Sequence, residues 1–138
     1  MKLLTKNTDY AVRALMALAT SGDRFISARE ISKKQDLPYQ YLRRILRELI
    51  KNRIVLSREG GGGGFMLKMS PEKLYLVDII KIFQGNIQLS ECMFRNRICN
   101  KRSGCVLRKR INKIEKKVIA EFSGITIKTL LQDMGAGI

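Results

Sequence analysis

The first third of the chain repeats its apolar positions with the period of a helix. Between residues 8 and 21, Ala11, Ala14, Leu15 and Leu18 recur at intervals of three and four or less, and Gly22 stands where a helix would stop. Ser27-Ala28-Arg29-Glu30 has the form of a capping box, which predicts a second, short helix that turns Ile31 inward and ends near Gln35. Asp36-Leu37-Pro38 supplies a turn. Pro38 suits the first position of a third helix, where its missing N–H needs no partner. In that helix Leu42, Ile45, Leu46 and Leu49 share one stripe, which leaves Gln40, Tyr41, Arg43, Arg44 and Arg47 facing outward.

The pattern then changes. Ile54-Val55-Leu56-Ser57-Arg58 reads as a strand and Phe65-Met66-Leu67 as its partner, with Glu59 and the glycines Gly60 to Gly64 as a hairpin tip. Ser70-Pro71 opens the next element, and Val77, Ile79, Ile80, Ile82 and Phe83 predict a short helix before Gly85. Residues 90 to 105 show no periodicity and are expected to form a loop. A longer helix returns from about Cys105 to Phe122, with Leu107, Ile111, Ile114, Val118 and Phe122 on a narrow stripe. Helix, helix, turn, helix and hairpin is the order of a winged helix-turn-helix, so the expected fold class is mainly α with a small β-hairpin. Nothing in the pattern after the closing stripe would cover it, which points to pairing with a second copy in a homodimer.

Charge sharpens this picture. Among 138 residues, 27 Lys and Arg oppose 12 Asp and Glu, for a net charge of +15. Such an excess is the footprint of a polyanion partner, either nucleic acid or an anionic membrane surface. No apolar run approaches the roughly 20 residues needed to span a bilayer, and Asp9 and Arg13 interrupt any signal-like stretch. The expectation is a cytoplasmic protein with double-stranded DNA, not a membrane, as its partner. The chain has no histidine, so neither a Ser-His nor a Cys-His nucleophilic pair can form. It also carries no cofactor fingerprint or paired acid–base constellation, and no enzyme is expected.

The third helix is the candidate reading head, since the second helix of a helix-turn-helix enters the major groove. Gln40 can pair with adenine, while Arg43, Arg44 and Arg47 can divide between guanine edges and phosphates; Tyr41 can donate to a phosphate. Ser27, at the start of the preceding helix, joins this set of DNA-contact candidates. No Gly-Lys-Ser or Gly-Lys-Thr follows the glycine run, so the nucleotide-binding phosphate loop is absent. Gly62 and Gly63 would instead let the hairpin approach a DNA backbone closely, and Arg58 at its base can clamp a phosphate or enter the minor groove. The competing reading is a solvated basic helix and a flexible loop.

Cys92, Cys99 and Cys105 fall within fourteen residues, with six residues between the first pair and five between the second. An odd number of thiols in a reducing compartment speaks against a disulfide framework. Thiolates this close can converge on one inorganic centre. A Cys3His zinc site is excluded, and zinc with an acidic fourth ligand is unusual for a structural site. An iron–sulfur cluster on three thiolates and one other ligand fits better. Arg95, Arg97, Lys101 and Arg102 beside the cysteines favour the thiolate form and offset cluster charge. Three free thiols, or thiols that sense oxidants directly, are the alternatives.

Several of these segments fall in the order of one family: Thr8-Asp9-Tyr10-Ala11-Val12-Arg13-Ala14-Leu15, Pro38-Tyr39-Gln40-Tyr41-Leu42, Ser57-Arg58 to Gly62-Gly63-Gly64-Phe65, Ser70-Pro71, Val77-Asp78-Ile79-Ile80 and the three cysteines. The chain resembles the IscR and NsrR regulators, winged-helix transcription factors of the Rrf2 family, over nearly its whole length. The resemblance implies a repressor of transcription that pairs as a homodimer through its long C-terminal helix and carries a cluster between the subunits. Cys92, Cys99 and Cys105 match the three thiolate ligands. IscR-like members take a histidine just past the third cysteine, where this chain has Leu107 and Arg108. NsrR-like members use an aspartate in the first helix, which corresponds to Asp9; the resemblance thus implies Asp9 of the partner subunit as fourth ligand and favours 4Fe–4S over 2Fe–2S. Iron–sulfur assembly proteins are the implied loading partners, and nitric oxide, redox state or iron–sulfur status the implied signal. A cluster-free thiol sensor, or a regulator controlled by complex formation with a metabolic enzyme, is the alternative. Two departures stand out: the first cysteine gap is six where five is common, and Arg43 stands where IscR-like members carry an acidic residue. The expected division is 1–84 winged helix-turn-helix, 85–105 cluster-binding loop, and 106–138 dimerisation helix and C-terminal tail.

Overall fold

The computed structural model describes residues 2–89 and 104–136. Six helices and one hairpin follow in the order α1 (Lys6–Thr20), α2 (Ala28–Gln35), α3 (Tyr39–Lys51), β1 (Val55–Arg58), β2 (Gly64–Leu67), a 3₁₀ turn (Pro71–Lys73), α4 (Leu76–Gln84), α5 (Val106–Ser123) and α6 (Ile127–Ala136). The fold is a winged helix-turn-helix carrying a C-terminal helical pair.

Helix α1 lies at the centre. Ala11, Ala14, Leu15, Ala17 and Leu18 are buried on it, and it packs against α2, α3, β2, α4 and α6. Three of those five side chains are alanines, and small side chains let several elements approach one helix. It begins two residues earlier than the periodicity predicts, because Thr5 accepts from the Thr8 N–H and caps it. Thr8 is fully buried; its hydroxyl donates to Gln84 Oε1 at 2.7 Å, while the Thr5 N–H donates to the same oxygen and Gln84 Nε2 donates to the Leu3 carbonyl. One amide thus ties the start of α1 to the end of α4.

Ser27 caps α2 through the Glu30 N–H, while the Glu30 carboxylate accepts from Arg24 Nη2 at 3.2 Å. Asp36 closes α2 in the left-handed region (φ 49°), and the Leu37 N–H bonds back to the Ser32 carbonyl. Pro38 is the cap of α3 rather than its first residue, since its carbonyl already accepts the Leu42 N–H. The predicted stripe of Leu42, Ile45, Leu46 and Leu49 is buried as expected. Each such side chain contributes about 1.5–3 kcal/mol of transfer free energy.

The antiparallel hairpin pairs Val55 with Leu67 through Arg58 with Gly64, so Gly64 belongs to β2 and not to the tip. Ile26 adds a further bridge: it exchanges both backbone hydrogen bonds with Phe65, at 3.0 and 2.8 Å. Gly64 sits beside this bridge at φ 136°, where a Cβ would run into the Ile26 carbonyl.

The sequence pattern predicts a tail after residue 122, and here the structure differs. Thr126 and Thr129 cap α6 reciprocally, and Ile127 is fully buried with Leu130 and Leu131 packed on the same core. The Leu76 N–H to Ile125 carbonyl bond (2.8 Å) and the Ile127 N–H to Leu74 carbonyl bond (2.9 Å) staple this segment to the start of α4. Lys128 Nζ reaches Glu72 Oε2 at 3.1 Å, and this hydrogen bond and charge hold the Glu72 carboxyl below its ordinary value of 4.5. Helix α5 behaves otherwise. It touches α4 yet buries none of its residues, and Val106, Leu107 and Ile114 are 74%, 65% and 53% exposed. No described helix is long and apolar enough to cross a membrane.

Candidate nucleic-acid interface and metal ligands

Helix α3 presents Gln40, Tyr41, Arg43, Arg44 and Arg47 on its exposed face, opposite the buried leucine and isoleucine stripe. Two cation–aromatic groups border this face. Lys6 Nζ, from the first turn of α1, lies 5.5 Å from the Tyr10 ring and 5.3 Å from the Tyr41 ring, and the two rings meet edge to face at 5.8 Å. Arg29 of α2 and Arg43 of α3 flank the Tyr39 ring at 5.5 and 5.9 Å. Such contacts hold cations at the surface while leaving N–H donors for an anion. Lys6, Tyr39 and Arg29 are not among the DNA-contact residues read from the sequence; the spacing of four in Lys6–Tyr10 and Tyr39–Arg43 is a local signal, while Lys6–Tyr41 and Arg29–Tyr39 form only where helices cross.

In the wing, Arg58 stacks on Phe25 with its guanidinium carbon 4.2 Å from the ring centroid, and Arg58 Nη2 donates to the Gly62 carbonyl at 3.0 Å. Gly62 adopts φ 77°, and Gly63 packs against the Arg58 carbonyl so closely that a Cβ has no room. Ser27 is exposed, with its hydroxyl accepting the Glu30 N–H. The helix face, Ser27 and the wing therefore belong to elements that pack directly on one another.

The candidate cluster ligands are placed less completely. Cys92 and Cys99, with Arg95, Arg97, Lys101 and Arg102, lie outside the described residues. Cys105 is half-buried at the N-cap of α5, and its sulfur makes no capping hydrogen bond, which leaves it free for a ligand role. Asp9 sits in the first turn of α1, where Oδ2 accepts from Arg13 Nε at 3.1 Å with both side chains about half exposed. An exposed pair of this kind is worth about 0–1 kcal/mol, so the carboxylate can exchange partners at small cost. Among the described residues no three Cys, Asp or Glu side chains converge on one point. Three thiols and a carboxylate are, as a donor set, chemically compatible with an iron–sulfur cluster.

The comparisons agree on what this arrangement belongs to. Residues 4–133 match the family model Rrf2, described as an iron-dependent transcriptional regulator. The HTH-type transcriptional repressor NsrR of Streptomyces coelicolor is 28% identical over 130 residues, covering 93% of this chain and 87% of that one. The solved structure of T. potens IscR superposes with a TM-score of 0.77 at 24% identity, over 97% of this chain and 88% of that one. That of CymR, the global cysteine regulator of B. subtilis, gives a TM-score of 0.76 at 24% identity, over 94% and 96%; both share the winged-helix fold. The chain belongs to the Rrf2 family of DNA-binding transcriptional regulators.

Proposed function

We propose that this regulator is a repressor whose operator affinity is set by an iron–sulfur cluster, held by Cys92, Cys99 and Cys105 of one subunit and Asp9 of the partner subunit. The observation that carries this reading is the donor set itself: three cysteines within fourteen residues of a histidine-free chain, one of them at the start of α5 with no capping hydrogen bond on its sulfur, and an accessible carboxylate on α1. When bound, the cluster would supply a centre reactive toward nitric oxide and oxidants, with 4Fe–4S favoured over 2Fe–2S and iron–sulfur assembly proteins as its source.

The chain's own residues would do the rest. Residues 1–84 read DNA, 85–105 carry the thiolates, and within 106–138 helix α5 pairs two copies through Leu107, Ile111 and Ile114. Gln40, Arg43, Arg44 and Arg47 enter the major groove; Ser27, Tyr41, Arg58, Gly62 and Gly63 bind the flanking backbone. Two reading helices must lie about one helical turn of DNA apart, 34–36 Å, and a joint shared between subunits fixes that spacing. By linkage, the switch is no stronger than the difference in cluster affinity between DNA-competent and incompetent dimers. Anaerobic purification followed by visible spectroscopy and native mass tests this directly. Iron-bearing, coloured dimers that lose colour in Cys105→Ala support it; colourless, iron-free protein that grips its operator undiminished overturns it. In that event the three thiols themselves favour a cluster-free thiol regulator, tested by a peroxide response in gel shift.

A further inference from the structure

Phe25 lies outside the helix-turn-helix and carries no charge, yet its ring is the platform on which Arg58 rests. The 4.2 Å separation is the shortest of the five cation–aromatic contacts among the described residues. The platform is itself fixed. Its neighbour Ile26 is 1% exposed and bonded on both backbone groups to Phe65 of β2, and Ser27 next along caps α2. Residues 25–27 thus join the wing to the helix-turn-helix through consecutive positions. Arg58 is held from two sides, by the ring beneath it and by the Gly62 carbonyl ahead of it. A guanidinium has five N–H donors in one plane, and one of the amino groups is engaged by Gly62. Contact with the ring restrains the guanidinium without using its remaining donors.

We infer that Phe25 is a positioning residue for DNA binding: it orients the Arg58 guanidinium at the base of the wing, so that Arg58 meets the duplex already ordered. This rests on the DNA-binding reading of Arg58. Free arginine side chains lose rotamer freedom when they bind, and a side chain ordered beforehand loses less. A cation–aromatic contact at an exposed site is worth a factor of about two to five in an equilibrium constant. The same factor bounds what Phe25 can add to operator affinity through Arg58.

A double-mutant cycle tests the inference on the full chain, purified without oxygen. The probe is a duplex enriched by the wild-type protein from a random-sequence pool. Phe25→Leu should weaken binding about two- to fivefold, Phe25→Tyr should restore it, and in an Arg58→Ala background Phe25→Leu should change nothing further. Circular dichroism melting of the same variants separates positioning from folding, because a purely structural role would lower the midpoint equally in both backgrounds and weaken binding in both. Equal binding by Phe25→Leu and wild type, or an undiminished loss in the Arg58→Ala background, overturns the inference. If the wild type enriches no duplex at all, the DNA reading itself falls and takes this inference with it.

Discussion

Helices α3 and α5 are both amphipathic and basic, and they end in opposite situations. On α3 the apolar stripe of Leu42, Ile45, Leu46 and Leu49 is at most 3% exposed, and the arginines opposite it are turned to solvent by that burial. On α5 the stripe of Leu107, Ile111 and Ile114 finds no equivalent bed, and no residue of its eighteen is buried. The difference shows where each helix gets its stability. A short helix is held by tertiary packing more than by propensity, so α3 is specified by its own core, whereas α5 finds no such bed among the described residues. Its segment Arg108, Lys109, Arg110, Lys113, Lys116 and Lys117 is strongly cationic, and under the proposed pairing a second copy would have to bring its apolar stripe close while keeping these charges apart.

The contrast can be broken most forcefully at the end of the chain. Ile127→Ala, in the core beside α1, should cost about 2–5 kcal/mol in urea unfolding, whereas Ile114→Ala on α5 should leave the unfolding midpoint of a diluted, monomeric sample nearly unchanged. Comparable losses at both would erase the distinction. Ile114→Glu sharpens it from the other side: sedimentation should shift toward monomer, and a species of unchanged mass would show that α5 is not the pairing surface.

Next in size is Gly64→Ala, which combines a positive φ with a collision at the Ile26 carbonyl. A loss of about 1–3 kcal/mol is expected, with the wing amides of β1 and β2 exchanging faster while α5 is unaffected. Ser27→Ala removes the cap of α2 and should cost about 1 kcal/mol, read as a melting shift that Ser27→Asp largely restores. The smallest effect concerns pH. Because Glu72 titrates below its ordinary value in the folded chain, its pairing with Lys128 stabilises α6 above about pH 4.5 and is lost as pH falls below it. Lys128→Met should flatten that part of the stability profile by lowering stability slightly at neutral pH, while leaving it unchanged in acid, where Glu72 is protonated in both proteins.

How much of this was legible follows the same division. Helices α2 and α3 and the hairpin could be read because their signals are local: a serine cap, a proline, a stripe, a glycine run. Helix α6 was missed although it has the signals, with Gly124 as a stop, Thr126 and Thr129 as caps, and Ile127, Leu130 and Leu131 spaced for one face. Ten residues with two of the last four being glycine and alanine make a weak periodic window, and its core partner on α1 is more than a hundred residues away in sequence. The outward face of α3 was legible for the same reason as its inward one. The pairings of Arg58 with Phe25 and of Lys6 with Tyr41 depend on how elements cross and leave no trace in spacing, whereas Lys6 and Tyr10 stand four apart on α1. Pro38 slipped by one position because a proline is compatible with both the cap and the first turn.

The amide of Gln84 has a practical consequence. It grips Thr5, Thr8 and the Leu3 carbonyl at once, so residues 3–8 are latched to the end of α4. A purification handle fused ahead of Lys2 would pull on the far end of α4, and one placed there should be cleaved before any affinity is trusted.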